Sequence, residues 1–293
     1  MSTTTLPAPA KINLLLAVTG RRADGFHDLL SVVAPLAWGD TVSVETGGAG
    51  FSVECDDPGV PTDGSNLVVK AARAFAEAAG WEGGARFTLT KRIPFGAGLG
   101  GASSDAASAL MALNGASGSP LDPAGLARVA SAVGSDCALF LSKGPVIMRG
   151  RGERVEPLPR EAYRRIRGIR VLLFKPGFAI PTPWAYAALA ADAPGSYAPA
   201  SRAEARLASW ISSPRAPVGD LLFNSMERPA FAKFAALPCL LERVRRFGLP
   251  TGMTGSGSAC FTLLNESSDA APIVDAIRRA WGPSSFVMEA RIA

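Results

Sequence analysis

Polar and apolar residues alternate at the start of "AKINLLLAV" (10–18) and then give way to an unbroken apolar run. That pattern predicts a strand passing from a half-wet surface into a covered layer. "DTVSVET" (40–46) and "RFTLTKR" (86–92) alternate cleanly and predict strands with one solvated face. Helical spacing takes over in "LVVKAARAFAEAAG", with Asn66 as N-cap and Gly80 as the stop. Asp122 followed by Pro123 predicts a second helix start. Its apolar stripe is Leu126, Val129, Ala130 and Val133, ended by Gly134. "GPVIMRGRGERVEPLP" (144–159) predicts a hairpin folded about Gly150 and Gly152.

A polar, arginine-rich stretch (160–170) follows, then an apolar strand "VLLF" (171–174). We place a boundary between two lobes here, 1–160 and 161–293. Helical patterns are expected at about 183–191, 201–212, 226–236 and 267–281, and strands near 259–264 and 285–291. Strands and helices mix without a βαβ rhythm. The pattern therefore predicts an α+β fold with largely antiparallel sheets and packed helices.

Composition narrows the function. The 293 residues are 48% hydrophobic and 19% charged, as expected of a globular protein with a sizeable core. No apolar run is long enough to span a membrane, and the N-terminus lacks the basic cluster of a signal peptide. Cys55, Cys137, Cys239 and Cys260 are widely spaced, with no CxxC pair. Reduced thiols in a cytoplasmic protein are expected. His27 is the only histidine, which excludes a zinc site built on several histidines. The net charge of +5 comes from dispersed residues, with short clusters at 164–170 and 243–246. Aromatic residues are not interleaved with them, so an anionic small molecule is a better partner than nucleic acid.

"RIPFGAGLGGASSDAA" (92–107) holds four glycines within six residues, directly ahead of a helix expected to start near Ser103. Glycine backbone approaches a ligand closely, and consecutive N–H groups form an anion-binding nest. A helix N-terminus adds free donors and a positive dipole end, so the segment predicts a phosphate site. A branched residue at Gly98 is expected to cost phosphate binding rather than the fold. No lysine follows the glycines as in a Walker A loop, and about 90 residues precede them, unlike a dinucleotide fold. "TGSGSACF" (254–261) reads by itself as a tight turn before a strand. Asp136, in "VGSD", reads by itself as a cap after Gly134.

"PFGAGLGGASS" (94–104) resembles the phosphate loop of the kinase superfamily of galactokinase, homoserine kinase, mevalonate kinase and phosphomevalonate kinase, with one extra residue before the first serine. "PAKINL" (9–14) and "RADGFH" (22–27) are similar to one branch, the 4-diphosphocytidyl-2-C-methylerythritol kinases of the non-mevalonate isoprenoid pathway. "SNLVVKAA" (65–72), "VGSDCALFL" (133–141), "GFAIPTP" (177–183) and "MTGSGSACF" (253–261) extend the likeness over most of the chain. Phe26 stands where that branch often has tyrosine. Ala97 and Ala102 replace common glycines, which requires negative φ at both.

The resemblance implies a two-lobed kinase with its active site between the lobes, using ATP and Mg²⁺, the ion's protein ligands left open. It implies an N-terminal ATP-binding domain (1–160) and a C-terminal domain (161–293). Asp136 would accept or orient the proton of the acceptor hydroxyl, with Lys11 beside it. Pro94, Gly96, Gly98, Leu99, Gly100, Gly101, Ser103 and Ser104 would cradle the phosphates. Asn66 and Lys91 are further candidates near the nucleoside. The acceptor carries a cytidine diphosphate, for which Phe26 and His27 resemble the recognition pair and Tyr186 a second stacking face. Asn13, Thr182, Gly255, Ser256 and Gly257 would line its pocket. A monomer or weak homodimer is expected. Homoserine kinase, a catalytically silent nucleotide sensor and a nucleic-acid-binding module remain alternatives. Cytidine dependence separates the first, ATP turnover the second, and salt-sensitive polynucleotide binding the third.

Overall fold

The computed structural model describes residues 3–293. The elements in order are β1 (Thr3–Arg21), β2 (His27–Thr46), β3 (Phe51–Cys55), α1 (Leu67–Ala79), β4 (Ala85–Thr90), α2 (Gly101–Ala116) and α3 (Pro123–Val133). Then come β5 (Val146–Gly150), β6 (Arg154–Pro157), α4 (Arg160–Ile166), β7 (Arg170–Lys175), α5 (Thr182–Ala191), α6 (Ala200–Ser212) and β8 (Phe223–Asn224). The chain ends with α7 (Glu227–Lys233), α8 (Ala236–Arg245), β9 (Thr251–Met253), β10 (Cys260–Leu264), α9 (Ala271–Trp281) and β11 (Phe286–Arg291).

These elements form two compact units, neither continuous in sequence. One holds the chain up to Ala10, then Trp38–Phe95 and Gly100–Lys143. The other holds Lys11–Ala37, Gly96–Leu99 and Gly144–Ala293. The arginine-rich stretch read as a lobe boundary is largely helix α4, inside the second unit. Its apolar positions Ala162 and Ile166 are buried one turn apart, leaving the arginines on the other faces.

In the first unit, β4 pairs antiparallel with the C-terminal half of β2 and parallel with β3. Helices α1, α2 and α3 pack on one another. Asn66 caps α1 by accepting from Val68 N at 2.9 Å, and Gly80 ends it in the left-handed region. Helix α2 is alanine-rich and buried on nearly every side from Ser104 to Asn114. A helix covered all round needs small side chains where its neighbours approach.

In the second unit, β11-β7-β10-β9 form an antiparallel sheet. β5 pairs antiparallel with β2 and with β6. β1 pairs parallel with β8 through Leu15–Phe223 and Leu16–Asn224. Phe174, Cys260, Leu189, Leu241 and Ile277 belong to the core under α5, α7, α8 and α9. The α+β architecture with mostly antiparallel pairing is as the sequence predicts. Helix α8 and strands β3, β8 and β9 were not foreseen.

Candidate active site

The two glycine-rich segments meet each other. Gly98 has φ +76°, and a Cβ placed there would lie 2.5 Å from the Thr254 carbonyl oxygen. Gly255 has φ +58°, and its Cβ would lie 2.8 Å from the Gly98 carbonyl oxygen. At Gly98 and Gly255 the backbone of the other segment occupies the space a side chain would need. The loop is further held by Ala259 N donating to Ala97 O at 3.1 Å and Lys11 N donating to Leu99 O at 2.9 Å. Expecting a branched residue at Gly98 to spare the fold is therefore wrong: it would collide with backbone. Ala97 and Ala102 lie outside the positive-φ region, as the sequence required.

Lys11, 3% exposed on β1, reaches across this contact. Its Nζ donates to Gly98 O and to Asn13 Oδ1, each at 2.7 Å. Asn13 Oδ1 also accepts from Gly255 N at 3.0 Å and Thr254 Oγ1 at 3.2 Å. Asn13 Nδ2 donates to Ser31 Oγ at 2.9 Å. The amide expected to line the acceptor pocket is thus the hub that fastens Lys11 to residues 254–255. Asn224, which the sequence did not single out, donates from Nδ2 to Met253 O at 2.8 Å and Gly255 O at 2.9 Å. Its only signal was a polar residue in an apolar stretch before α7.

A chain of contacts leads from this hub to the histidine. Ser256 Oγ lies 2.9 Å from Thr182 Oγ1, in the first turn of α5. Tyr186 follows one turn later on the same face. Its ring centroid is 5.0 Å from that of His27, tilted by 36°. The ring centroid of Tyr197, also missed by the sequence reading, lies 5.9 Å from that of His27. His27 Nε2 and the Tyr197 hydroxyl are buried with no hydrogen-bond partner. Burial, helped by Arg21, lowers the pKa of His27, so the ring is neutral near pH 7 and offers one donor and one acceptor. Phe26 is 49% exposed, with the Arg151 guanidinium 4.9 Å from its ring centre.

In the first unit, Gly100 caps α2 with φ 78°, and the helix starts at Gly101, two residues earlier than expected. Ser103 therefore lies in its first turn, where N–H groups are unpaired by the helix, while Ser104 N already donates to Gly100 O at 2.9 Å. Ser104 Oγ is buried without a partner. Burial pushes the Cys137 thiol up to about 11, while a hydrogen bond with Ser103 opposes the shift. That contact sets the "GSD" turn (134–136) against the first turn of α2. Asp136 is half-buried, and the 3-10 turn Ala138–Leu141 carries no side-chain cap. The cap reading of Asp136 is not what the structure contains.

Asn66 and Lys91, expected near the nucleoside, have their polar groups engaged by the fold. Asn66 caps α1 and donates to Pro61 O at 2.6 Å. Lys91 Nζ is bound by Asp40 and, at 2.6 Å, by Asp105. Among the described residues no group of three His, Cys, Asp or Glu side chains is placed to hold a metal. No described helix is long and apolar enough to cross a membrane.

The second unit holds a glycine-rich nest beside a buried lysine, and the first holds a helix N-terminus preceded by glycine; each is a feature of proteins that hold phosphate groups. The description "GHMP kinases N terminal domain" matches residues 66–144, and "GHMP kinases C terminal" matches residues 212–283. The chain belongs to the GHMP kinase family, and it is a small-molecule kinase. It is 38% identical over 276 residues to the 4-diphosphocytidyl-2-C-methyl-D-erythritol kinase of Thermus thermophilus, covering 94% of this chain and 92% of that one. The kinase of the same name from Methylacidiphilum infernorum is 37% identical over 262 residues, covering 88% of this chain and 85% of its own. A crystal structure of 4-(cytidine 5'-diphospho)-2C-methyl-D-erythritol kinase superposes with TM-score 0.77 at 36% identity, over 98% of this chain and 99% of that chain. Homoserine kinase from Cytophaga hutchinsonii superposes with TM-score 0.77 at 18% identity, over 100% of this chain and 95% of its own, and shares the fold.

Proposed function

We propose that the protein transfers the γ-phosphate of ATP to the C2 hydroxyl of 4-diphosphocytidyl-2-C-methyl-D-erythritol, in non-mevalonate isoprenoid precursor biosynthesis. The observation that carries this reading is the set of contacts from Lys11 through Asn13, Gly255 and Ser256 to Thr182, one helical turn before Tyr186, whose ring lies against His27. It ties a phosphate-facing cation to an aromatic cluster with an unsatisfied nitrogen, which suits an acceptor carrying a cytosine ring.

The protein's contribution to such a reaction is positioning and charge stabilisation. Gly96 to Leu99 and the N-terminal turn of α2 present backbone N–H groups to the β- and γ-phosphates. Asp136 accepts or orients the proton of the C2 hydroxyl as the O–P bond forms. Lys11 meets the negative charge that builds on the transferring phosphoryl group, and its bonds to Gly98 O and Asn13 fix it in advance. His27 and Tyr186 hold the cytosine, and Phe26 offers it a flat apolar face. A Mg²⁺ ion brought with ATP would neutralise phosphate charge; held mainly by phosphate oxygens and water, it would need few protein ligands. We read the enzyme as cytoplasmic, in keeping with its four free cysteines.

The test is ATP consumption across three acceptors: the cytidine-linked methylerythritol, homoserine and mevalonate. Turnover only with the first is expected. Turnover with homoserine instead would replace this reading, and none with any acceptor would leave a nucleotide sensor.

A further inference from the structure

The first unit buries three charges together. The side chains of Asp40, Lys91 and Asp105 are 0%, 9% and 4% exposed. The Lys91 ammonium is held between one carboxylate from β2 and one from α2. Asp40 is also bound to backbone, its Oδ1 accepting from Arg92 N at 2.5 Å and Ile93 N at 2.8 Å. Arg92 and Ile93 are where the chain enters the glycine loop. Asp105 sits one turn into the helix by which the chain leaves it. A Cβ on Gly101 would lie 3.3 Å from Asp40 Oδ2 and 3.2 Å from the Ile93 side chain, so entry and exit already touch.

We propose that the Asp40–Lys91–Asp105 triad is a positioning device for ATP, a buried clamp that fixes the two ends of the phosphate loop. This rests on reading that loop as the phosphate cradle. Burying three charges is costly, and an apolar filling of the same volume would hold the fold as well or better. An ionic clamp adds direction. Each carboxylate accepts only along set geometries, so the spacing of Arg92, Ile93 and α2 is fixed. The loop's N–H groups then stand ready for phosphate, without the entropy cost of ordering them on binding. Asp105 Oδ1 has no partner, so its carboxylate is held through the other oxygen, to which Lys91 donates at 2.6 Å. Lys91 accordingly acts through the loop and not on the nucleoside.

The experiment measures ATP and acceptor KM, ATP affinity by calorimetry and Tm for wild type, Lys91→Met, Asp105→Asn and the double variant. Wild type that binds no ATP overturns both the loop reading and the clamp. With ATP bound, the clamp predicts an ATP KM raised about tenfold by Lys91→Met and several-fold by Asp105→Asn. Acceptor KM should stay within twofold. The double variant should resemble Lys91→Met alone, because both changes break one device. Folded single variants with ATP KM within twofold of wild type would overturn the clamp and leave the loop reading intact. An Asp105→Asn variant that binds ATP normally while Lys91→Met does not would overturn it in favour of direct contact by Lys91. Equal rises in both KM values with a lowered Tm would reduce the triad to a stability element. If Lys91→Met does not fold, the near-isosteric Asp105→Asn decides the question alone.

Discussion

The surroundings of Lys11 and those of His27 lie in the same unit, yet they differ in completeness. Around Lys11, the Asn13 carboxamide oxygen alone accepts from Lys11, Thr254 and Gly255. Around His27, a ring nitrogen and a tyrosine hydroxyl are buried without partners. A saturated network is rigid before any ligand arrives, whereas an unpaired buried group costs about 1–3 kcal/mol until something satisfies it. On the function proposed above, the first region would hold charge in place during transfer and the second would select the acceptor.

That division makes rate and affinity separable. The largest effect should follow from Asp136→Asn, which keeps shape and loses charge. General-base contributions run to about 10²–10⁴ in rate. Steady-state kinetics should show kcat falling by that order with ATP affinity nearly intact, and a fall under threefold would remove Asp136 from the chemistry. Gly98→Val strikes the saturated region directly. Left-handed backbone costs a side-chain-bearing residue about 1–2 kcal/mol, and overpacking adds roughly 1–3 kcal/mol. Thermal melting should show a clear loss of stability together with weakened ATP binding. An unchanged Tm would mean that the two glycine segments separate easily.

His27→Ala should raise the acceptor KM about tenfold, by loss of a stacking face and a hydrogen bond each worth roughly 1–3 kcal/mol. ATP KM and Tm should barely move. A fall in Tm with both KM values moving together would make His27 a turn residue and dissolve the contrast.

The smallest effect concerns pH, and it adds the ion triad as a third kind of buried polar site. Burial pushes the Asp105 carboxyl up to about 7, against the pull of Lys91 and with the help of Asp40. Between the ordinary carboxylate range and pH 7 the folded chain keeps a proton that the unfolded chain has lost. Stability therefore falls as pH rises through that window. Melting curves at pH 5 and pH 8 should show the lower Tm at pH 8, and Asp105→Asn should narrow the difference. An identical slope in that variant would place the titration elsewhere.

The sequence by itself determined the caps at Asn66 and Asp122, the hairpin at Gly150 and the alternating strands, because capping and periodicity are local. It also supplied the family, since the motifs around Lys11, His27, the glycine loop and Asp136 carry it in contiguous residues. It could show that Gly98 and Gly255 sit in glycine-rich segments. It could not show that each must be small because of the other, since their closeness is set by β1 and β10, far apart in the chain. That Asn13, Asn66 and Lys91 have partners within the fold could not be read from their motifs, because a polar residue in a motif looks the same whether it faces substrate or fold. Asp40 and Asp105 were in plain view, 65 positions apart in sequence, and nothing local pairs them through Lys91. Only the tertiary structure decides which polar atoms are already satisfied. Partners of a buried charge come from whichever elements the core packs beside it, and that packing is a property of the whole chain.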